Sequence, residues 1–322
     1  MKKLRNVILA VFSLTFLFNA NILFAQEKGS GVESITIKEL KDHMEYLASD
    51  ELGGRVTGTD GYKKAAKYAA KEFAKAKLQT LFKNSDGEPS YFQPVKIKDY
   101  VSMNVVGMVE GTDTELKNQY VTVGAHLDHV NYDKEKVWNG ADDNASGSVG
   151  VIEIAEALVL NPPKRSVIFI LFTGEEKGLL GSRHFVKDPP VPLDDIVANI
   201  NLDMIGRTGQ GLDKKKKEHI VRYSSEVCPE FKKFVQKVNK KTINYPLVYK
   251  DESTEQTLGG SDHMSFLGKD IPAIFFFSGI HKDLHRPTDD ADKIEYDKMQ
   301  KISQLVYEIT VELGNADEVF GK

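Results

Sequence analysis

The chain has 322 residues, 43 basic against 47 acidic side chains and a formal net charge of −4. That balance excludes a surface that would hold nucleic acid or an anionic membrane by charge. The single cysteine, Cys228, excludes an internal disulfide, so stability has to come from a buried core, which a chain of this length can supply.

Residues 1–25 open with Lys2, Lys3 and Arg5, continue as an apolar run from Val7 to about Phe18, and end in small residues at Ala25. This is the layout of a secretory signal peptide, although Leu23 stands where a small residue is commoner. The apolar run is short for a membrane span, so no stable membrane anchor is expected. Export to the periplasm or the extracellular space is. Removing these residues leaves 40 basic and 47 acidic side chains, a net charge of −7.

The remainder, 26–322, reads as a single catalytic domain, because no linker, repeat or composition break divides it. A helix is expected over Ile37–Leu47. The turn-rich stretch 49–61 follows, with Thr59 or Asp60 placed to cap a helix running to about Leu78. Strand candidates are Tyr91–Ile97, Met103–Val109, Tyr120–His126, Val167–Phe172, Ile196–Leu202, Pro246–Tyr249 and Ala273–Phe277. Helices over Ala145–Leu160, Gly178–Val186, Pro229–Asn239 and Asp292–Leu313 alternate with several of them. Continuous apolar strands such as VIFIL and AIFFF suit a sheet covered on both faces. The fold class is therefore α/β, a three-layer α/β/α sandwich with a mostly parallel mixed sheet. The polar, Lys-rich segment 206–260 reads as a flap or insertion near the site.

In such sheets ligands gather at the carboxyl ends of the strands. His126 and Asp128 stand at the end of the third strand candidate. Asp142 and Asp143 precede a helix, Glu175 and Glu176 follow the fourth strand, Asp203 ends the fifth, and His281, His285 and Asp289 follow the last. Each has an ordinary reading alone: a core histidine, a helix cap, a loop acid, a surface histidine. Arriving together at one rim they need a cation, and their chemistry suits a divalent metal. Their number suits two ions sharing a carboxylate. Asp128, two residues after His126, falls on the same face of an extended strand and can orient the imidazole. Of the adjacent acids, Glu176 can bind metal while Glu175 takes the proton of an attacking water.

The motifs GAHLDH, NGADDNASG, FTGEEKGLLGS, NLDMIG, GGSDHMSF and LHRPTDDADKI occur in the order found in the secreted di-zinc aminopeptidases, which the chain resembles from about Asp42 to about Lys301. That family, of zinc-dependent exopeptidase fold, also contains glutamate carboxypeptidase-like enzymes and glutaminyl cyclases. The resemblance implies two Zn2+ ions and peptide substrates. It makes His126 and Asp203 ligands of one zinc, Glu176 and His285 ligands of the other, Asp143 the bridge, Glu175 the general base and Asp128 the partner of His126. His285 is preferred to His281 because it alone sits in the frame HRPTD. The motif Ser261-Asp262-His263 reads equally as a helix cap or as part of a substrate pocket.

Two departures stand out. Tyrosines that some members use to stabilise the oxyanion are replaced by Leu258 and Leu284. The protease-associated domain that larger relatives insert before the His-x-Asp strand is absent, since only about 20 residues separate Val105 from His126. The function expected is a metallo-aminopeptidase. A carboxypeptidase or dipeptidase is the first alternative, with Arg183, Arg207 and Arg286 kept open as carboxylate binders. A glutaminyl cyclase-like transferase and a ligand-binding module fit less well, because every metal position and the base are retained. A phosphatase-type hydrolase fits less well because nothing resembles a phosphate cradle and the motif order disfavours it.

Overall fold

The strand Ser166–Phe172 (β4) is buried at every position and apolar from Val167 on, and its alternate residues serve two different cores. Val167, Phe169 and Leu171 face one, while Ile168, Ile170 and Phe172 face the other. A period-two backbone buried on both faces requires this pattern. The computed structural model describes residues 31–320 apart from 132, 134, 255–259 and 318. The expected signal peptide, 1–25, lies outside the described residues.

Besides β4, the sheet contains Phe92–Ile97 (β1), Tyr100–Val109 (β2), Tyr120–His126 (β3), Ile196–Asp203 (β5), His219–Tyr223 (β6), Leu247–Asp251 (β7) and Ala273–Phe277 (β8). The order is β1-β2-β4-β3-β5-β8-β6-β7. The four central strands β4, β3, β5 and β8 are mutually parallel, with His126 opposite Phe172 and Asp203 opposite Phe277. Their carboxyl ends therefore open on one rim. β1, β2 and β6 make the antiparallel pairings, and β7 lies parallel to β6.

The helices are Ile37–Leu47 (α1), Asp60–Lys75 (α2), Gly147–Leu160 (α3), Leu180–Lys187 (α4), Glu230–Lys241 (α5), His263–Leu267 (α6) and Tyr296–Asn315 (α7). The larger core lies under α1, α2, α3, α5 and α7, and the smaller one under α4 and α6. Two helix starts follow the sequence closely. Thr36 accepts the Glu39 N–H of α1 at 3.2 Å, and Thr59 accepts the Tyr62 N–H of α2 at 3.3 Å. The resulting α/β/α sandwich is the expected class.

The segment 206–260, expected as a flap or insertion, supplies β6, α5 and β7 and so extends the sheet itself past β8. Among the described residues no helix is long and apolar enough to cross a membrane.

Candidate metal centre and cleft

Chain breaks at the ends of the central strands supply the polar side chains of the site. β3 stops at His126, β5 at Asp203, and β4 runs through Gly174, in the left-handed region at φ 66°, into a 3-10 turn carrying Glu175 and Glu176. Asp143 stands in the irregular turn Ala141–Ser146 that leads into α3. His285 lies in the loop after β8, with a side chain 42% exposed.

Two groups of facing donor atoms result. In the first, His126 Nε2 lies 3.4 Å from Asp143 Oδ1 and 3.2 Å from Asp203 Oδ1. In the second, His285 Nε2 lies 3.0 Å from Asp143 Oδ2 and 3.2 Å from Glu176 Oε1. His129 Nδ1 also faces these oxygens, at 3.5 Å and 3.2 Å. Asp143 thus offers one oxygen to each group. Asp143 Oδ2, Glu176 Oε1, Asp203 Oδ1 and both nitrogens of His129 are buried with no hydrogen-bond partner. Orphaned acids and imidazoles converging on two points are what a pair of divalent cations would satisfy, so the residues fit the implied ions.

The electrostatics state the same need. Burial works against protonation of His126, yet Asp203, Glu175 and Asp143 hold its imidazole well above the usual histidine range. Burial likewise opposes ionisation of Asp143, but His126, His129 and His285 outweigh it and keep that carboxyl well below the usual range. Burial, with Asp203, Asp262 and Glu176 nearby, pushes the Glu175 carboxyl up to about 10 against the opposing pull of His126. Positive charge has to be supplied here, by protons on imidazoles or by metal.

Surrounding residues fix the ligands. Asp289 Oδ2 accepts the N–H groups of Asp142 and Asp143 at 3.1 and 3.0 Å. Asp142 accepts from Gly206 N, Ser278 Oγ and His281 Nε2, which leaves Asp142 and His281 outside both groups. Asp128 corrects the spacing argument. His126 Nδ1 lies 3.0 Å from its backbone oxygen, while its carboxylate accepts from Thr57 Oγ1 at 2.7 Å and from Glu175 N at 3.1 Å. The strand ends at His126, so same-face alternation no longer governs Asp128. Its carboxylate instead holds the main chain of Glu175.

Sequence reasoning missed three contributors. His129 is one; its only signal is the repeat of histidine within HLDH. Arg55, fully buried, donates Nε to Leu127 O at 2.9 Å, Nη1 to Leu47 O and Asn139 O, both at 2.6 Å, and Nη2 to Gly140 O at 2.9 Å. It ties the loops bearing His126, His129 and Asp143 to the end of α1. Thr57 is the third.

A cleft of about 330 Å³ opens from the acids, with Met204, Phe275, Phe277, Ile280 and Leu284 on its apolar walls. Arg222 also lines it and lies 2.6 Å from Glu252. Arg183 borders a separate groove, Arg207 pairs with Asp283 at 3.2 Å, and Arg286 is exposed. Asp262 makes no side-chain cap on α6, and His263 Nε2 lies 3.0 Å from the Glu252 carboxylate. Leu258 lies outside the described residues.

Comparison with known proteins bears on the family and the fold. Residues 104–310 match the model of peptidase family M28. A leucine aminopeptidase 1 from Arthroderma otae is 27% identical over 227 residues, covering 67% of this chain and 59% of its own length. One from Fusarium vanettenii is 24% identical over 292 residues, covering 87% of this chain and 71% of its own length. The solved structure of a zinc aminopeptidase from Bacillus subtilis superposes with a TM-score of 0.70 at 19% identity, covering 89% of this chain and 98% of that one.

Proposed function

We propose that this chain, which belongs to peptidase family M28, is a metallo-aminopeptidase that holds two zinc ions and removes N-terminal residues from peptides. The observation that carries this reading is the single carboxylate of Asp143 facing two ligand groups at the inner end of an apolar cleft. His126 and Asp203 hold one ion, Glu176 and His285 the other, and Asp143 joins them. When bound, the ions supply Lewis acidity that polarises a scissile carbonyl and acidifies an attacking water.

Glu175 takes the proton of that water and returns it to the leaving amine. Its carboxyl, pushed high by burial among acids, comes down as positive charge is added beside Asp143 and Glu176. Asp128 holds Glu175 in place through the Glu175 N–H and steadies His126 through its own carbonyl. At the inner end of the cleft a substrate α-ammonium meets the carboxyl groups of Glu175 and Asp203. The apolar walls favour bulky uncharged N-terminal side chains, in keeping with the relatives named leucine aminopeptidases. Residues 1–25 act as an export signal, and 26–322 form a single catalytic domain working outside the cytoplasm.

The test is hydrolysis of a panel of amino acid anilides by zinc-loaded mature protein, beside N-acetylated copies, a chelated sample and Glu175→Gln. Release from free-amine substrates alone, lost on chelation and in the variant, is the expected result. Cleavage of N-blocked peptides with a free carboxylate, and silence on anilides, would overturn it in favour of a carboxypeptidase.

A further inference from the structure

His129 faces the acids Asp143 and Glu176, yet the ligand set proposed above leaves it without work. It is 1% exposed, and neither ring nitrogen has a hydrogen-bond partner. The distances decide what it is for. A tetrahedral zinc with ligands at roughly 2.0–2.1 Å places neighbouring ligand atoms about 3.3 Å apart. The four measured edges joining His129 Nδ1 and His285 Nε2 to Asp143 Oδ2 and Glu176 Oε1 are 3.5, 3.2, 3.0 and 3.2 Å. All four atoms lie within 4.8 Å of one another.

The main chain makes room for this ring. A Cβ at Gly140 would stand 2.5 Å from His129 Cγ and Cδ2, and Gly140 itself sits at φ +54°. The ring also meets His285 edge-on, with centroids 5.7 Å apart. Among the described residues the other group has three protein donors, His126, Asp143 and Asp203.

We infer that His129 is a fourth protein ligand at the Glu176–His285 position, so that this ion is enclosed by protein while the ion at His126–Asp203 keeps the open coordination site. The inference rests on the two-ion reading above. It divides the labour between the ions. The enclosed one, with two imidazoles and two carboxylates, is held tightly and fixes the bridge Asp143; the open one exchanges ligands with solvent and substrate. Closed shells mark structural zinc positions and open shells catalytic ones.

The test needs no substrate. Mature protein is loaded with cobalt(II), exposed to graded chelator, and followed by metal content and visible absorption. The wild type is expected to lose one equivalent first and to keep a second whose intense bands are those of a four-coordinate ion. In His129→Ala the second equivalent leaves at a chelator concentration at least about 10-fold lower, the scale already reached when an outer partner of a ligand is removed, and the bands weaken. His129→Asn, which places an amide oxygen near the position of Nδ1, recovers part of both, and keeps the test valid if the alanine variant folds poorly. Simultaneous loss of both ions from the wild type, or an unchanged count and spectrum in both variants, overturns the inference. Stepwise loss that depends on His129, in a protein inert toward anilides, supports it while removing the aminopeptidase reading.

Discussion

Replacing Arg55 by methionine removes a buried cation and four donated hydrogen bonds without opening a large cavity. The carbonyls of Leu47, Leu127 and Asn139 would lose this donor, while Gly140 O would keep the Ala145 N–H at 3.1 Å. A buried group left unpaired costs about 1–3 kcal/mol, and three that share one partner do not add fully. The expected loss is about 4–6 kcal/mol, a large part of the 5–15 kcal/mol that separates ordinary folded and unfolded states. Burial lowers the guanidinium pKa to about 10, against the opposing pull of Asp143, Asp289, Asp128 and Glu176, so Arg55 is still charged at neutral pH. Arg55→Lys keeps the charge but loses the fork that reaches several carbonyls, and should fall between the two. The assay is denaturant unfolding with and without chelator, followed by circular dichroism and by the fluorescence of the one tryptophan, Trp138, next to the loop that Arg55 holds. A loss below about 1 kcal/mol for Arg55→Met, with an unchanged m-value, would refute the argument, because three orphaned carbonyls cannot be that cheap.

Other expectations follow from the same contacts. Glu175→Gln should lower kcat by about 10²–10⁴-fold, the usual contribution of a positioned base, with metal content unchanged; retained activity would remove Glu175 from the proton transfer. Glu153, 2% exposed and 3.2 Å from His43, has its carboxyl raised to about 7 by burial, with His43 opposing. A raised carboxyl pKa stabilises the fold below about pH 4.5 and loses that contribution as pH rises through 7, a change of roughly 3 kcal/mol at most. Thermal melts across this window should therefore fall in the wild type and flatten in Glu153→Gln; parallel curves would count against the linkage. Gly61→Ala places a Cβ 1.8 Å from Leu52 O, a backbone atom, and should destabilise by about 1–3 kcal/mol in the same unfolding assay.

The sequence was most legible where one physical demand ruled a whole segment. The doubly covered strands β4 and β8 had to be apolar on both faces, and α2 carried its own cap at Thr59. The proposed ligands His126, Asp143, Glu176, Asp203 and His285 could be listed because each stands near a strand or helix boundary on one rim, and the motif resemblance set them apart from Asp142, His281 and Asp289. β6 escaped because His219 and Arg222 are buried in it, His219 stacked on Phe276 and Arg222 against Glu252, so no apolar alternation marks it. Arg55 escaped because its partners are main-chain carbonyls, and no spacing of side chains announces them. Asp128 was located correctly but given the wrong contact, since the strand geometry used to aim it ends two residues earlier. His129 needed the third dimension, as its neighbours in the site come from positions 143, 176 and 285.

The shared carboxylate has a consequence for the integrity of the chain as well as for its chemistry. Ions seated on the two groups join segments from position 126 to position 285 through one atom pair at Asp143. In a protein whose only cysteine is buried and single, such coordination does what cross-links do elsewhere, closing long loops that in the chain-entropy model are each worth about 3–5 kcal/mol. A chelator would then act on this enzyme as a reductant acts on a disulfide-bonded one. If the ions bind as proposed, a peptidase of this family would owe its own resistance to cleavage to the same metal that serves its chemistry.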